Sequence, residues 1–155
     1  MLSAFHKLSA EAPVGSQLYL ILVGDGKEEQ PLKQQATQLG IREQVHFAGF
    51  QGSCTEWMQL MDCLIQPSLT EGTPNTVLEA LSLNLPVIAS AVGGVPDLIV
   101  DDKNGLLVPA ADVDKMAAAM KRMWLFPNLR IQLAEGSEGL VGEYSPAYQR
   151  QRLAS

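Results

Sequence analysis

Several features that mark other classes of protein are scarce in this sequence. It has two cysteines among 155 residues, Cys54 and Cys63, with neither a CxxC pair nor a cluster of histidines around them. This pattern suggests neither a zinc site nor a disulfide framework, and it favours two buried free thiols. Lys and Arg total 11 against 17 Asp and Glu, which gives a formal net charge of -6. Because a phosphate backbone would gain little attraction from this surface, we expect no nucleic-acid partner.

Long apolar runs are also missing. None approaches the roughly 20 residues needed to span a bilayer, and the N-terminus has no basic stretch followed by an apolar core. We therefore expect no transmembrane segment and a cytoplasmic location. What the sequence does have is 46% hydrophobic and 18% charged residues, in a length that fits one domain. These values predict a single folded globular domain.

Apolar runs of strand length alternate along the chain with stretches of helical period. The predicted strands are 18–23, 45–47, 63–66, 86–89 and 106–108. The predicted helices are 2–8, 27–39, 56–61, 75–83, 95–100 and 113–125, followed by a helix-prone region over 128–153. Strands that are apolar on both faces need helices on both sides, so the fold class is α/β, a doubly wound parallel sheet flanked by helices and Rossmann-like.

Ligands of such sheets bind outside the carboxyl ends of the strands. The loops at that edge are predicted to be 24–27, 48–53, 67–75 and 90–95. The third of these loops leads into the most informative stretch, TEGTPNTVLEAL over 70–81. It has Glu71 in the loop and Glu79 in the following helix, with Thr73 as the expected N-cap and Pro74 as the first helical residue. A helix N-terminus at this place would suit a diphosphate.

Taken alone, each of these residues could also have an ordinary structural role. Thr76 and Glu79 have the spacing of a capping box, and Glu71 could be a solvated loop acid. Gly24-Asp25-Gly26 could be only a tight turn, and Glu29 stands where the third glycine of a dinucleotide motif would be. Gly93-Gly94 could mark either a close approach or a positive φ. His6 and His46 are interpreted as structural, because a lone histidine needs a partner before it indicates catalysis.

Several further motifs accompany the two glutamates. They are VGDG at 23–26, VHFAGF at 45–50, LPVIAS at 85–90, AVGGVPDLI at 91–99 and NGLLVPAADVDKMAAAM at 104–120. With the Glu-x7-Glu motif of Glu71 and Glu79, they stand in the order found in the donor-binding domain of glycosyltransferase family 4. Residues 2–125 therefore resemble the C-terminal half of a GT-B fold.

The resemblance implies a role for each site residue. Glu71 would contact the donor hexose, as the catalytic positioning residue. Glu79 would bind the nucleotide ribose, the amides of Asn75 and Thr76 would face the diphosphate, and Pro74 would supply one donor fewer than another residue. The other implied nucleotide-binding residues are Gly24, Asp25, Gly26, Phe50, Gln51 and Thr73. No cofactor and no metal are implied, because the family leaves the diphosphate to a helix terminus and basic side chains.

The resemblance also implies what would surround this chain. Residues 1–155 would be a nucleotide-sugar donor-binding domain that lacks its N-terminal edge, an upstream Arg and Lys pair, and the acceptor-binding domain. The whole protein would transfer a hexosyl group from a UDP-, GDP- or ADP-hexose to an acceptor hydroxyl, with retention of configuration. It would work in the cytoplasm or at the cytoplasmic membrane face, and the chain alone would be inactive. Two alternatives stay open, a GT-B-fold sugar-nucleotide epimerase and a non-catalytic nucleotide-sugar-binding module.

Overall fold

The computed structural model of the protein describes residues 1–72 and 74–138. In chain order the elements are α1 (Leu2–Glu11), β1 (Leu20–Val23), α2 (Glu29–Gln38), β2 (Val45–Gly49), α3 (Thr55–Met58), β3 (Leu64–Gln66), α4 (Asn75–Ser82), β4 (Val87–Ser90), α5 (Val95–Leu98), β5 (Leu106–Val108), α6 (Val113–Leu125) and α7 (Pro127–Glu135). A short 3-10 helix at Arg42–Gln44 precedes β2. The predicted helix-prone region over 128–153 is thus a helix up to Glu135, and its part beyond residue 138 lies outside the described residues.

All the strand pairs are parallel. β1 pairs with β2, with Leu20 opposite Val45, and β4 lies between β3 and β5 in a second group. Helices separate successive strands, which is the connection that parallel pairing requires. The predicted α/β class with a Rossmann-like arrangement is confirmed, and the five strands form two parallel groups rather than one continuous sheet.

One hydrophobic core joins the two groups of strands. It contains residues of α1, β1, β2, β4, β5 and α6, and α1 packs directly against α6. A salt bridge between Lys121 and Glu11 (2.5 Å) and another between Lys7 and Asp114 connect the outer faces of these two helices. A second cluster lies beneath α4 and α5. The described part of the chain is therefore held together chiefly by apolar packing of helices on strands.

The strands differ in burial. All four residues of β4 are buried, whereas β1 has one buried residue, Leu20, and β3 has none. Tyr19, expected inside a strand, is 67% exposed. The sequence predicts full burial of both strands, and that prediction is wrong because, among the described residues, β1 and β3 each have a neighbouring strand on one side only. Of the helices that the structure describes, none combines the length and the apolar character needed to cross a membrane.

Candidate functional site

The loops predicted to carry the site follow the carboxyl ends of the strands. Because the strands of each group run parallel, the loops after β1 and β2 lie at one end of the first group, and those after β3 and β4 lie at one end of the second. The loop after β3 contains Glu71, and that after β4 contains Gly93 and Gly94.

Glu71 is held in place by two side chains at the end of β3. Its Oε1 accepts hydrogen bonds from Gln66 Nε2 (2.8 Å) and from Ser68 Oγ (2.5 Å), and Gln66 also donates to Ser68 (2.9 Å). Both donors converge on one carboxylate oxygen, so Oε2 has no hydrogen-bond partner among the described residues. Glu71 is half-buried, with a fixed orientation and one oxygen available to a ligand.

The Glu71 loop rests directly on the loop after β4. The amide of Gly94 donates to the carbonyl of Gly72 (3.1 Å), and a Cβ at Gly93 would stand 1.7 Å from the Glu71 carbonyl oxygen. Gly93 also has φ +53°. The two interpretations of Gly93-Gly94 that the sequence leaves open therefore both apply at Gly93, which has a positive φ and a close approach of backbone to backbone.

Helix α4 begins at Asn75, as the predicted helix over 75–83 does, and not at Pro74, where the capping pattern places the first helical residue. Pro74 is not its first residue but precedes the helix with ψ 90°, and its carbonyl accepts from the amides of Val77 (3.0 Å) and Leu78 (3.2 Å). The reason is that Pro74 takes the backbone role of an N-cap, with its ring buried near Gly94. Thr73, the expected N-cap, lies outside the described residues.

The start of α4 determines which backbone amides its first turn presents. The first two helical residues are Asn75 and Thr76, and their amides make no hydrogen bond among the described residues. Pro74 at the N-cap has no N–H, so it supplies one donor fewer than another residue would, as the sequence predicts.

Glu79 lies one turn into α4, on the same side as Asn75 four residues earlier. It is exposed, and its carboxylate has no hydrogen-bond partner in the described parts of the chain. Thr76 is already inside the helix and is not its N-cap, so the capping-box interpretation of Thr76 and Glu79 is wrong. A carboxylate with no structural partner thus lies one turn from the free amides of α4.

The remaining predicted site residues follow β1 and β2. Gly24 and Gly26 have φ +128° and +140°, and the amide of Gly24 donates to the carbonyl of Gly49 (2.8 Å). Phe50 is 73% exposed, whereas Gln51 folds back and donates to the carbonyl of Ala48 (2.7 Å). Gly24–Gly26 is thus a turn tied to the end of β2, with Asp25 exposed at its tip.

Other polar residues of the sequence have structural positions. The ring of His46 stacks on Trp57 at 5.8 Å, and neither His46 nor His6 lies in a loop at the carboxyl edge. Both cysteines are free, as predicted, but both residues are half-buried rather than buried. Within 1–72 and 74–138, no group of three or more His, Cys, Asp and Glu residues could hold a metal ion.

Sequence reasoning missed Gln66 and Ser68. A signal for them did exist, since Gln66 is the one polar residue at the end of an otherwise apolar strand, and Ser68 stands three residues before Glu71. Polar side chains at the end of an apolar strand, like these two, are candidates for holding an acid in the loop that follows.

Comparison with known proteins connects this geometry to a family. The sequence model of the family described as "Glycosyl transferases group 1" matches residues 1–138. The lipopolysaccharide core biosynthesis glycosyltransferase LpsE of Rhizobium meliloti is 34% identical over 142 residues, which are 91% of this chain and 42% of that protein. The chain thus spans about two fifths of the length of this curated relative.

Solved structures show the same fold. The C-terminal domain of the group 1 glycosyl transferase LpcC from Francisella tularensis has a TM-score of 0.79 and 26% identity, over 91% of this chain and 75% of that domain. Anabaena HepE, solved in complex with UDP and glucose, has a TM-score of 0.84 and 24% identity, over 98% of this chain and 44% of its own length.

Proposed function

Because the chain belongs to the family of group 1 glycosyl transferases, we propose that residues 1–155 are the nucleotide-sugar-binding domain of a longer enzyme of glycosyltransferase family 4. That enzyme transfers a hexosyl group from a nucleoside-diphosphate sugar to an acceptor hydroxyl, with retention of configuration. It acts in the cytoplasm, and its acceptor-binding domain lies outside these residues. The lengths of the curated relatives support this division, since the chain matches less than half of LpsE.

The observation that carries the proposal is the arrangement around the start of α4. Glu71 has one carboxylate oxygen fixed by Gln66 and Ser68, and the other has no hydrogen bond among the described residues. It precedes by four residues a helix whose first two amides also have no partner in that part of the chain. Helix N-termini favour phosphate oxygens through those amides and the helix dipole. In this proposal the diphosphate sits at Asn75 and Thr76, and Glu71 holds hydroxyls of the hexose.

Glu79 binds the ribose hydroxyls in this proposal. Its exposure supports the role, because a carboxylate with no partner among residues 1–72 and 74–138 is available to a ligand one turn from the amides of Asn75 and Thr76. Phe50, Gln51 and the Gly24–Gly26 turn then lie at the base, at the ends of β1 and β2. UDP is the first nucleotide to test, since Anabaena HepE has been solved with it.

In this proposal, residues 1–155 contribute to catalysis by positioning the donor and not by nucleophilic attack. A double displacement by two carboxylates needs both of them beside the anomeric carbon, whereas Glu71 and Glu79 hold different ends of the donor in this proposal. No metal is required, because the phosphate charge is assigned to the α4 amides and to basic residues elsewhere in the enzyme. The rival function of an epimerase would need acid and base groups at the carboxyl edge, and the stacked His46 is not one of them.

The deciding experiment is calorimetric titration of the chain with UDP, GDP and ADP, followed by Glu79→Gln. We expect the best nucleotide to bind about tenfold or more weakly to Glu79→Gln, because a neutral amide accepts hydroxyl hydrogen bonds less strongly than a carboxylate. EDTA should leave the affinity of the unaltered chain unchanged.

The matched control is Glu43→Gln, which removes the same charge at an exposed position. Glu43 precedes β2, so it lies at the amino end of that strand, whereas the proposed site lies at the carboxyl end. Equal affinity of Glu79→Gln and Glu43→Gln would refute the ribose role. A requirement for magnesium or manganese would refute the metal-free diphosphate site.

A further inference from the structure

Asn104 is the one asparagine of this sequence that is followed by glycine. The other three asparagines, Asn75, Asn84 and Asn128, precede threonine or leucine. An asparagine side chain cyclises when the backbone nitrogen of the next residue attacks its Cγ, and a glycine leaves that nitrogen unshielded because it has no side chain. Asn104–Gly105 is therefore the pair of this chain in which the reaction is chemically easiest.

The fold needs an asparagine at position 104. This residue lies in the loop between α5 and β5, and it is fully buried. Its Oδ1 accepts from the amide of Val100 (2.7 Å), and its Nδ2 donates to the carbonyl of Leu98 (2.8 Å). One side chain must thus offer an acceptor and a donor at once, which an amide does and a carboxylate does not.

The fold also needs a glycine at position 105. A Cβ there would stand 2.9 Å from the carbonyl oxygen of Val87 and 2.9 Å from Cγ2 of Ile99. Gly105 and both of these neighbours are buried, so the contacts could not relax freely. Packing thus requires, side by side, the two residue types that cyclise most readily.

The folded loop opposes the reaction that its sequence favours. Cyclisation has to bring Cγ of Asn104 to bonding distance of the Gly105 nitrogen, which breaks the two buried hydrogen bonds of the side chain. The backbone is held as well, because the end of α7 lies directly on it. A Cβ at Gly136 would stand 1.8 Å from the carbonyl oxygen of Lys103.

We propose that Asn104–Gly105 is a latent deamidation site, which is protected in the folded chain and reacts when the loop unfolds. The Gly105 nitrogen loses its proton and forms a bond to Cγ of Asn104, the bond from Cγ to the side-chain nitrogen breaks, and ammonia leaves. Water then opens the cyclic imide at either carbonyl, which gives aspartate or isoaspartate. Water is the only reactant besides the chain.

Neither product fits the folded loop. An aspartate at position 104 has no hydrogen to donate to the Leu98 carbonyl, and it places a charge at a fully buried position. An isoaspartate runs the main chain through the side chain, which lengthens the backbone where Gly136 contacts Lys103. Deamidation therefore blocks refolding and makes unfolding irreversible.

This modification does not involve the nucleotide site. The Asn104 loop precedes β5 and lies at the amino end of that strand, whereas the proposed nucleotide site follows the carboxyl ends of β1 to β4. A ligand at that site would slow deamidation only by reducing the population of unfolded chain.

The test follows all four asparagines of the unaltered chain by peptide mass spectrometry, in buffer and in urea at the same pH. Asn75, Asn84 and Asn128 are internal controls, because the residue after each of them has a side chain. In urea we expect Asn104 to convert about tenfold or more faster than any of them. In buffer its conversion should be about a hundredfold or more slower than in urea, since only the small unfolded population reacts.

Refolding provides a second measurement. After partial conversion in urea, the chain is diluted into buffer and the folded fraction is isolated by size-exclusion chromatography. We expect molecules deamidated at Asn104 to be depleted from that fraction by about tenfold or more. Asn104→Asp should lower Tm by about 5 °C or more, whereas Asn84→Asp, the same change at an exposed position, should shift it by less than about 2 °C. Failure of Asn104→Asp alone to fold would have the same meaning.

Three results would overturn the proposal. One is conversion of Asn104 in urea that is no faster than that of the other three asparagines. Another is equal conversion of Asn104 in buffer and in urea, which would mean that the folded loop gives no protection. The third is recovery of deamidated molecules in the folded fraction as efficiently as unmodified ones.

Discussion

At the scale of single residues, the carboxylate of Glu71 is the group on which the site depends, and Ser68 is its closest partner. Their hydrogen bond is charge-assisted, and such bonds contribute about 1.5–3 kcal/mol when both groups are well ordered. Because Ser68 and Glu71 are only half-buried, we expect the lower part of this range.

Ser68→Ala should therefore weaken binding of a nucleoside-diphosphate hexose by about tenfold, while the matching nucleoside diphosphate binds as before. The reason is that only the hexose is assigned to Glu71. Parallel titrations with UDP-glucose and UDP measure the difference, with Ser82→Ala, at the far end of α4, as the control. An equal loss for both ligands would mean that Ser68 supports the whole loop rather than the Glu71 carboxylate.

The Cys63 thiol gives a prediction about pH. Burial raises its pKa from 9.0 to about 12. The folded chain therefore holds this proton more tightly than the unfolded chain does. The contribution of the thiol to stability is fully present below pH 9 and is lost as the pH rises from 9 towards 12.

Since the thiolate is the reactive form, alkylation of Cys63 by iodoacetamide should be slow at pH 8 and should still be rising at pH 10. Mass spectrometry of a Cys54→Ser chain follows alkylation of Cys63 alone. In urea, where the chain is unfolded, the alkylation rate of the same thiol should reach half of its maximum near pH 9. A native rate that levels off near pH 9 would contradict the raised pKa.

At the scale of elements, the loops after β3 and β4 form one unit. A Cβ at Gly93 would stand 1.7 Å from the Glu71 carbonyl oxygen, and one at Gly94 would stand 2.6 Å from that of Gly72. Both contacts are with backbone, which cannot rotate away. Any side chain at either position must displace the Glu71 loop.

Gly93→Ala should lower the free energy of unfolding by about 1–3 kcal/mol, because it adds a strained φ to the clash. It should also abolish the part of the affinity for UDP-glucose that depends on the hexose. Gly52→Ala is the control, because a Cβ there meets no atom within 4 Å. Urea unfolding and UDP-glucose titration of both variants provide the measurements. If Gly93→Ala binds UDP-glucose more tightly than UDP by the same factor as the unaltered chain, the position of the Glu71 loop does not depend on the loop after β4.

Sequence patterns predict an element correctly when its capping residues and the spacing of its apolar residues agree with the way it packs. Helix α6 has the predicted bounds because Asp112 caps it, accepting from the amide of Lys115 (2.9 Å), and its apolar face packs on α1. For β1 the pattern predicts two residues too many, since Leu18 and Tyr19 are apolar but the pairing begins at Leu20 opposite Val45. The 3-10 turn at Arg42–Gln44 is too short to produce a periodic pattern.

The candidate site is predictable in its location but not in its contacts. The parallel pairing places the loops after β1 and β2 at one end of their group and those after β3 and β4 at one end of theirs, and this follows from the alternation of strands and helices. The hydrogen bonds of Glu71 to Gln66 and Ser68 depend on how the loop folds after Pro67, and the start of α4 depends on how Pro74 packs near Gly94. Such tertiary contacts leave no regular spacing in the sequence.

At the scale of the whole molecule, we expect these residues alone to transfer no sugar. In the proposed function the site lies on loops at the strand ends, and this chain supplies only one of its walls. The acceptor and the groups that exclude water are assigned to the rest of the enzyme, since the relative LpsE is more than twice as long.

Incubation with radiolabelled UDP-glucose and a panel of hexose, lipid-carrier and oligosaccharide acceptors tests this expectation. Transfer that disappears in Glu71→Ala and persists in Glu43→Gln would refute it, and residues 1–155 would then be an enzyme in their own right.

The unpaired edges of β1 and β3 also bear on solubility. Exposed strand edges are templates for edge-to-edge aggregation, and natural proteins blunt them with charged residues, proline or bulges. The segments Leu20–Val23 and Leu64–Gln66 contain no charge and no proline. Any segment that pairs with these edges would therefore also protect the chain from edge-to-edge aggregation.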